Sequence, residues 1–220
     1  MKIVSWNIGN FIWLKYFPGK KHYAFQRENL HDVATLLKNE DADIMFLQEI
    51  PEGEDAALIS EFFPNHRFVH AINGCEIGFI SLFLSKYPIQ EVHHTNSNDY
   101  IINGVTFFPI HLNAFSPQKR HDAVDRLLID LPMTRGLILG DTNFWIYEGT
   151  FFSKRDKISY AKIMKGHTDI LKSHGPTCRI LLSLDKIFVT NDLSYSNQKI
   201  THHTIGHVDH YMISTNISLQ

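Results

Sequence analysis

Four short polar islands lie at the ends of apolar runs in this 220-residue chain. Ser5-Trp6-Asn7 follows Lys2–Val4, and Gln48-Glu49 follows Ile44–Leu47. Gly140-Asp141-Thr142-Asn143 follows Leu137–Leu139, and Asp209-His210 precedes Tyr211–Ile213. Carboxylates, carboxamides and a histidine at strand ends are costly to bury unless they serve one another or a metal. Four such islands spread along the chain read as one composite site. Its inventory is a carboxylate for a hard cation, an acid/base histidine and amide donors for an oxyanion. Metal-assisted phosphoester hydrolysis uses that set.

Taken alone, Glu49 reads as a solvated loop carboxylate. In this company it reads as a ligand for Mg²⁺ or Mn²⁺, which prefer oxygen donors. Asn7 could orient that carboxylate or hold a metal-bound water. Asp141 and Asn143 suit an Asx-turn. Equally, two polar heads two residues apart at a strand end can orient a water and a phosphate oxygen. His210 has a candidate partner in Asp185, within Leu184–Val189, since a carboxylate on imidazole fixes its tautomer and raises its basicity. His111, after Phe107–Ile110, is either a structural histidine or a donor to phosphate.

The elements needed to bring these residues together follow from periodicity. Lys2–Asn7, Asp43–Gln48, Arg67–Ala71, Gly78–Leu84, Ile89–His93, Gly104–Ile110, Arg135–Leu139, Leu184–Thr190 and His210–Ile217 read as strands. Asn103-Gly104 is a hairpin signal. Tyr23–Lys38, Asp55–Phe63 and Gln118–Leu131 have helical spacing, with shorter helical pieces at Ser159–Met164 and Thr168–Leu171. Helices interrupting mixed strands predict a layered α/β fold, two sheets with helices outside, as a single domain over 1–220.

A hydrophobic content of 44% and a net charge of −2 are ordinary for a globular domain and advertise no general basic field. Two cysteines, Cys75 and Cys178, do not make a disulfide framework. The N-terminus has no secretory pattern and no apolar run reaches the length of a membrane span, so a cytoplasmic monomer is expected. The pairs His93-His94 and His202-His203 are poor metal sites, because adjacent residues on a strand point opposite ways.

In order along the chain, Ser-Trp-Asn-Ile (5–8), Leu-Gln-Glu (47–49), Leu-Ser-Lys-Tyr-Pro-Ile (84–89), His111-Leu112, Gly-Asp-Thr-Asn (140–143), Leu-Asp-Lys-Ile-Phe-Val (184–189) and Asp-His (209–210) resemble the motifs of the endonuclease/exonuclease/phosphatase superfamily. The resemblance implies a four-layer α/β sandwich, with two mixed β-sheets flanked by helices, and a divalent cation, usually Mg²⁺. It places Glu49 on the metal with Asn7 and Asp209 near it. Asp141 and Asn143 would align water and phosphate, His210 oriented by Asp185 would be the catalytic histidine, and His111 would contact phosphate. Glu76 would orient His111. Val208 departs from the family pattern, which has Ser before the Asp-His pair.

The implied activity is hydrolysis of phosphodiester bonds, most naturally in nucleic acid, by in-line attack of water. A phosphatase or phosphodiesterase on a lipid head group or small phosphoester is the alternative, and a catalytically dead binding module the third. Three segments are candidates to read substrate: the aromatic-basic loop Phe11–Lys21, the Phe144–Tyr147 run with Trp145, and Arg120 at the start of a helix near His111.

Overall fold

The computed structural model describes residues 1–9, 27–51, 54–71, 79–93, 98–131, 134–206 and 208–219. The loop Phe11–Lys21, the first residues of the expected Tyr23–Lys38 helix, Cys75, Glu76 and His94 lie outside them. The elements in chain order are β1 (Lys2–Asn7), α1 (Arg27–Glu40), β2 (Ile44–Pro51), α2 (Glu54–Glu61), β3 (Arg67–Ala71), β4 (Phe79–Ser85), β5 (Gln90–His93), β6 (Asn98–Ile102) and β7 (Val105–His111). They continue with α3 (Pro117–Asp130), β8 (Gly136–Asp141), β9 (Ile146–Tyr147), β10 (Thr150–Phe151), α4 (Lys154–Ile163), β11 (His167–Asp169), β12 (Asp185–Thr190), β13 (Leu193–Thr201) and β14 (Met212–Leu219).

Among the described residues two six-stranded sheets form, in the orders β13-β14-β1-β2-β4-β3 and β11-β12-β8-β7-β6-β5. Both are mixed: β1–β2 and β7–β8 are parallel, and the other pairs are antiparallel. The alternation of side chains along each strand sorts the core into three layers. Ile3, Ile44, Phe46, Phe83, Phe107, Leu139 and Ile187 fill the space between the sheets. Val4, Trp6, Met45 and Leu47 point the other way, onto Leu30, Val33 and Leu37 of α1 and Ile59 of α2. Phe108, Ile110 and Ile138 face outward from the second sheet, onto Val124 of α3 and Ile163 of α4. The result is the helix–sheet–sheet–helix sandwich expected.

Three local expectations need correction. Thr168–Leu171 is not helical: His167–Asp169 pairs antiparallel with β12. Helix α4 begins at Lys154, five residues before the expected start, because Ser153 caps it by accepting from the Asp156 N–H. Strand β13 was not anticipated, since its Ser-Tyr-Ser-Asn-Gln-Lys stretch is mostly exposed and has no apolar alternation. The Asn103-Gly104 hairpin does form between β6 and β7, with positive φ at both residues (50° and 77°), as a two-residue type I′ turn requires.

Candidate active site

Strand parity aims the polar islands. On β1, Ile3 faces the inter-sheet core, so Ser5 and Asn7 do as well; on β2, Ile44 and Phe46 put Gln48 on that side. In the facing sheet, Leu137 and Leu139 carry Asp141 inward, Ile187 and Val189 carry Asp185, and Phe107 carries His111. Asp185 and Asp141 are paired across β12 and β8, and His111 and Asp141 across β7 and β8. The polar residues are therefore the next layer beyond the apolar core, at one end of both sheets.

Glu49 breaks this rule. By parity it would point outward with Met45 and Leu47. The β2–β4 register instead shifts between Leu47 and Ile50, and Glu49 adopts φ 58°. This bulge, in a left-handed conformation, turns the carboxylate back to the site. Gly9 makes room for it: a Cβ there would lie 2.0 Å from Glu49 Oε2.

Asn7 Nδ2 donates to Glu49 Oε1 (3.0 Å) and to Asp141 Oδ2 (3.2 Å). His111 Nε2 lies 3.4 Å from Glu49 Oε1 and 3.9 Å from Asp141 Oδ2. On the other side of Asp141, His210 Nε2 is 3.8 Å from the same Oδ2, while its Nδ1 is 2.8 Å from Asp185 Oδ2. Asp185 thus fixes the ring so that Nε2 faces Asp141. Asp141 Oδ1 accepts the Asn143 N–H at 2.8 Å, an Asx-turn that leaves Oδ2 for the site. The Asx-turn reading of that pair is therefore met.

Glu49, His111 and Asp141 form one tight group of possible metal-ligand atoms, and Asp141, Asp185 and His210 a second; in each, the atoms lie within 4.8 Å of one another. Two buried carboxylate oxygens converging on one amide repel each other unless a cation or a proton lies between them. An oxygen-rich set with one imidazole suits Mg²⁺ or Mn²⁺, so these residues fit a divalent cation. Burial would raise Glu49, but His111 and Asn7 outweigh it and hold the carboxyl below 4.5. Burial pushes Asp141 up to about 6, against the pull of His210. Burial opposes charge on His210, yet Asp185, Asp209 and Asp141 together hold its imidazolium well above 6.5.

A small cavity of about 60 Å³ opens onto this cluster, lined by Glu49, Asp141, Asn143, Trp145, Asp209 and His210. Asp209 is on its wall, its carboxyl raised by burial, but outside both tight donor groups among the described residues. Trp145 is also on the wall, packed against the cluster of Cys178, Leu182 and Leu184. Asn143 donates from Nδ2 to the Leu112 carbonyl at 2.9 Å, tying the β8 loop to the end of β7. The expected Glu76 partner of His111 lies outside the described residues.

Arg120 is corrected. Its guanidinium is buried and does not reach out to substrate. Nε and Nη2 donate to the two oxygens of the buried Asp156 (2.9 and 2.7 Å), and Nη1 to the carbonyls of Asn113 and Ala114 (2.7 and 3.1 Å). It ties α3, α4 and the loop after His111 into one unit.

Several residues gain roles that sequence reading did not assign. Gln48 bridges the sheets, accepting the Asp141 N–H on Oε1 (2.9 Å) and donating from Nε2 to Ser5 Oγ (3.0 Å). Thr177 Oγ1 accepts from the N–H groups of Leu184 and Asp185, holding the start of β12. Trp6 Nε1 donates to the His210 carbonyl, and His203 Nε2 lies 2.8 Å from the same oxygen. The signal for Ser5, Trp6 and Gln48 was their place within the islands. Val208 is fully buried against the α1-side core, so the departure from Ser exchanges a hydroxyl for apolar contact.

Two mixed sheets thus lie between helices, with carboxylates and two histidines gathered at one end. The sequence matches the endonuclease/exonuclease/phosphatase family over residues 4–207, and the chain belongs to that family, whose members are hydrolases acting on phosphoesters. No curated protein matches the chain significantly. Among solved structures it is similar to a 3′ phosphatase from Neisseria bound to a product DNA hairpin (18% identity, 99% of each chain covered, TM-score 0.72). It is also similar to an AP endonuclease from Archaeoglobus fulgidus (15%, 100% of each chain, 0.70) and to a mannosyl-6-phosphatase from Bacteroides thetaiotaomicron (12%, 100% of each chain, 0.68). At these identities the likeness shows the fold alone. No helix among the described residues is long and apolar enough to cross a membrane.

Proposed function

We propose that the chain is a divalent-metal-dependent phosphodiesterase acting on nucleic acid. The observation that carries this reading is the clustering of Glu49, His111 and the His210–Asp185 pair around Asp141, with Glu49, Asp141 and His210 lining one cavity. Glu49 and Asn7 would hold Mg²⁺ or Mn²⁺, with Asp209 on the same wall, and the ion would supply charge neutralisation at the phosphate oxygens.

The chain's own residues divide the remaining work. Asp141, with Oδ1 held by the Asx-turn, presents Oδ2 to orient a water for in-line attack and to accept its proton. His210, its Nδ1 on Asp185, directs Nε2–H at a phosphate oxygen on the other side of Asp141. His111 Nε2, close to Glu49 and Asp141, would donate to another phosphate oxygen or to the leaving oxygen. Gln48 and Asn143 fix Asp141 and its loop, so little reorganisation accompanies reaction. A cavity of about 60 Å³ accepts the reacting phosphoryl group but leaves the rest of an extended substrate outside, across Phe115 and Trp145.

Hydrolysis of a small or lipid-borne phosphoester is the competing reading, since the same fold is shared by a mannosyl-6-phosphatase and an AP endonuclease. The deciding experiment is metal-dependent turnover of single- and double-stranded DNA, RNA, a sugar phosphate and a phospholipid head group, each beside His210→Ala. Turnover of an oligonucleotide that His210→Ala lowers by roughly 10²–10⁴ supports the reading. Turnover confined to the sugar phosphate or lipid would replace it.

A further inference from the structure

A second cleft, of about 600 Å³, runs between α3 and α4, from their first turns to Lys162 near the end of α4. Pro117, His121, Lys154, Arg155, Ile158 and Lys162 line it, and none of its described lining residues is acidic. That local excess of positive charge stands in a chain of net charge −2. Lys162 is tied to Asp125, whereas Lys154 and Arg155 are exposed. We propose that this cleft binds the phosphodiester backbone of a nucleic-acid strand whose reacting phosphate lies in the active-site cavity. The inference rests on the reading of that site as one that takes nucleic acid.

Position is the first support. Ala114 and Phe115 line the active-site cavity, and Ser116 and Pro117, the next residues, line the cleft. The two openings share this short rim. Arg120 holds the rim from below through the Asn113 and Ala114 carbonyls, and grips Asp156 of α4 with its other nitrogens. The wall between cavity and cleft is therefore fixed to both helices that form the cleft. A strand extended past Phe115 from the cavity would meet the cleft across these consecutive residues.

The charges are the second support. Lys154 and Arg155 open the first turn of α4. A helix N-terminus favours acidic residues there and disfavours cations. Folding gives no reason for two exposed cations at that place, whereas a polyanion does. Ile158 and Pro117 add an apolar floor on which sugars can rest. A small phosphoester has no further phosphate to place beyond Phe115 and would gain nothing from cations there. A polymer carries further phosphates past the reacting one.

The test is direct binding of a fluorescent oligonucleotide, single- and double-stranded, followed by anisotropy in the presence of chelator across a salt series. Lys154→Gln/Arg155→Gln is compared with the wild-type chain and with Lys38→Gln/Lys165→Gln, an equal charge change elsewhere on the exposed surface. Loss of two phosphate contacts should lower the slope of log affinity against log salt by about 2 and weaken binding by roughly tenfold. The control pair should leave both unchanged. Since the replaced cations oppose the helix dipole, the cleft variant should melt no lower than wild type.

Equal losses in the two variants, or none in either, would overturn the cleft assignment. So would a wild-type chain that binds no oligonucleotide. Cleft-dependent binding without metal-dependent hydrolysis would instead sink the nuclease reading and leave the cleft as a nucleic-acid-binding site with no reacting phosphate in the cavity.

Discussion

Arg120 offers the sharpest test of the structure, because sequence and fold assign it different jobs. Arg120→Met removes four hydrogen bonds and the counter-ion of Asp156, and both side chains are buried. The two loop carbonyls can turn toward water. The Asp156 carboxylate cannot, and breaking one side of a buried ion pair costs about 3–5 kcal/mol. For a chain of this length that corresponds to a fall of roughly 6–11 °C in Tm. Urea unfolding by circular dichroism would measure the loss. Replacing the pair together, as Arg120→Met/Asp156→Leu, should recover most of it, since apolar groups of similar volume often substitute for a buried pair at little cost. Arg120→Lys should fall between, keeping the charge but losing the planar fork. A single Arg120→Met variant within about 1 kcal/mol of wild type, yet impaired in substrate binding, would refute the tie and restore Arg120 as a phosphate grip.

Gly9→Ala should displace the Glu49 carboxylate, because its Cβ would sit 2.0 Å from Oε2, and weaken Mn²⁺ binding by about 10–100-fold in calorimetry; unchanged affinity would mean that Glu49 does not hold the ion. Asp185→Asn should leave the fold intact but lower turnover by about 10–100-fold, since His210 loses the carboxylate that fixes its ring, and kinetics at saturating metal would show it. Glu40 gives a pH prediction away from the site. Burial opposes its charge, but Lys199, Ser214 and Lys2 outweigh that and hold the carboxyl below 4.5. A depressed carboxyl stabilises the fold above its unfolded pKa and loses that contribution as pH falls through the folded value. Glu40→Gln should therefore unfold more easily than wild type at neutral pH, by about 1–2 kcal/mol, with the gap closing as pH falls through the depressed folded-state value. A gap that is the same at both pH values would rule out the charge as its source.

The family motifs and the strands that carry them were legible because they are local. An apolar run fixes a strand, the two-residue period fixes which side chains share a face, and Asn7, Asp141, Asp185 and His111 follow from that parity. Chain-distant pairing was not legible. Thr168 looked helical by spacing, yet three residues around it found hydrogen-bond partners on β12. Strand β13 carries no periodic signal, and its partner β14 alone makes it a strand. Glu49 faces the site only because a register shift against β4 gives it a positive φ, and it fits only because Gly9 lacks a Cβ. Gln48 reaches the Asp141 N–H across the gap between sheets, 93 residues away in sequence. Arg120 met Asp156 from the neighbouring helix before any substrate could claim it. Residue types and their local period thus determined which groups could do chemistry and which face each strand offered. The tertiary structure decided which of them meet, because an ion pair, a bulge or an inter-sheet hydrogen bond depends on atoms that the chain brings together only by folding.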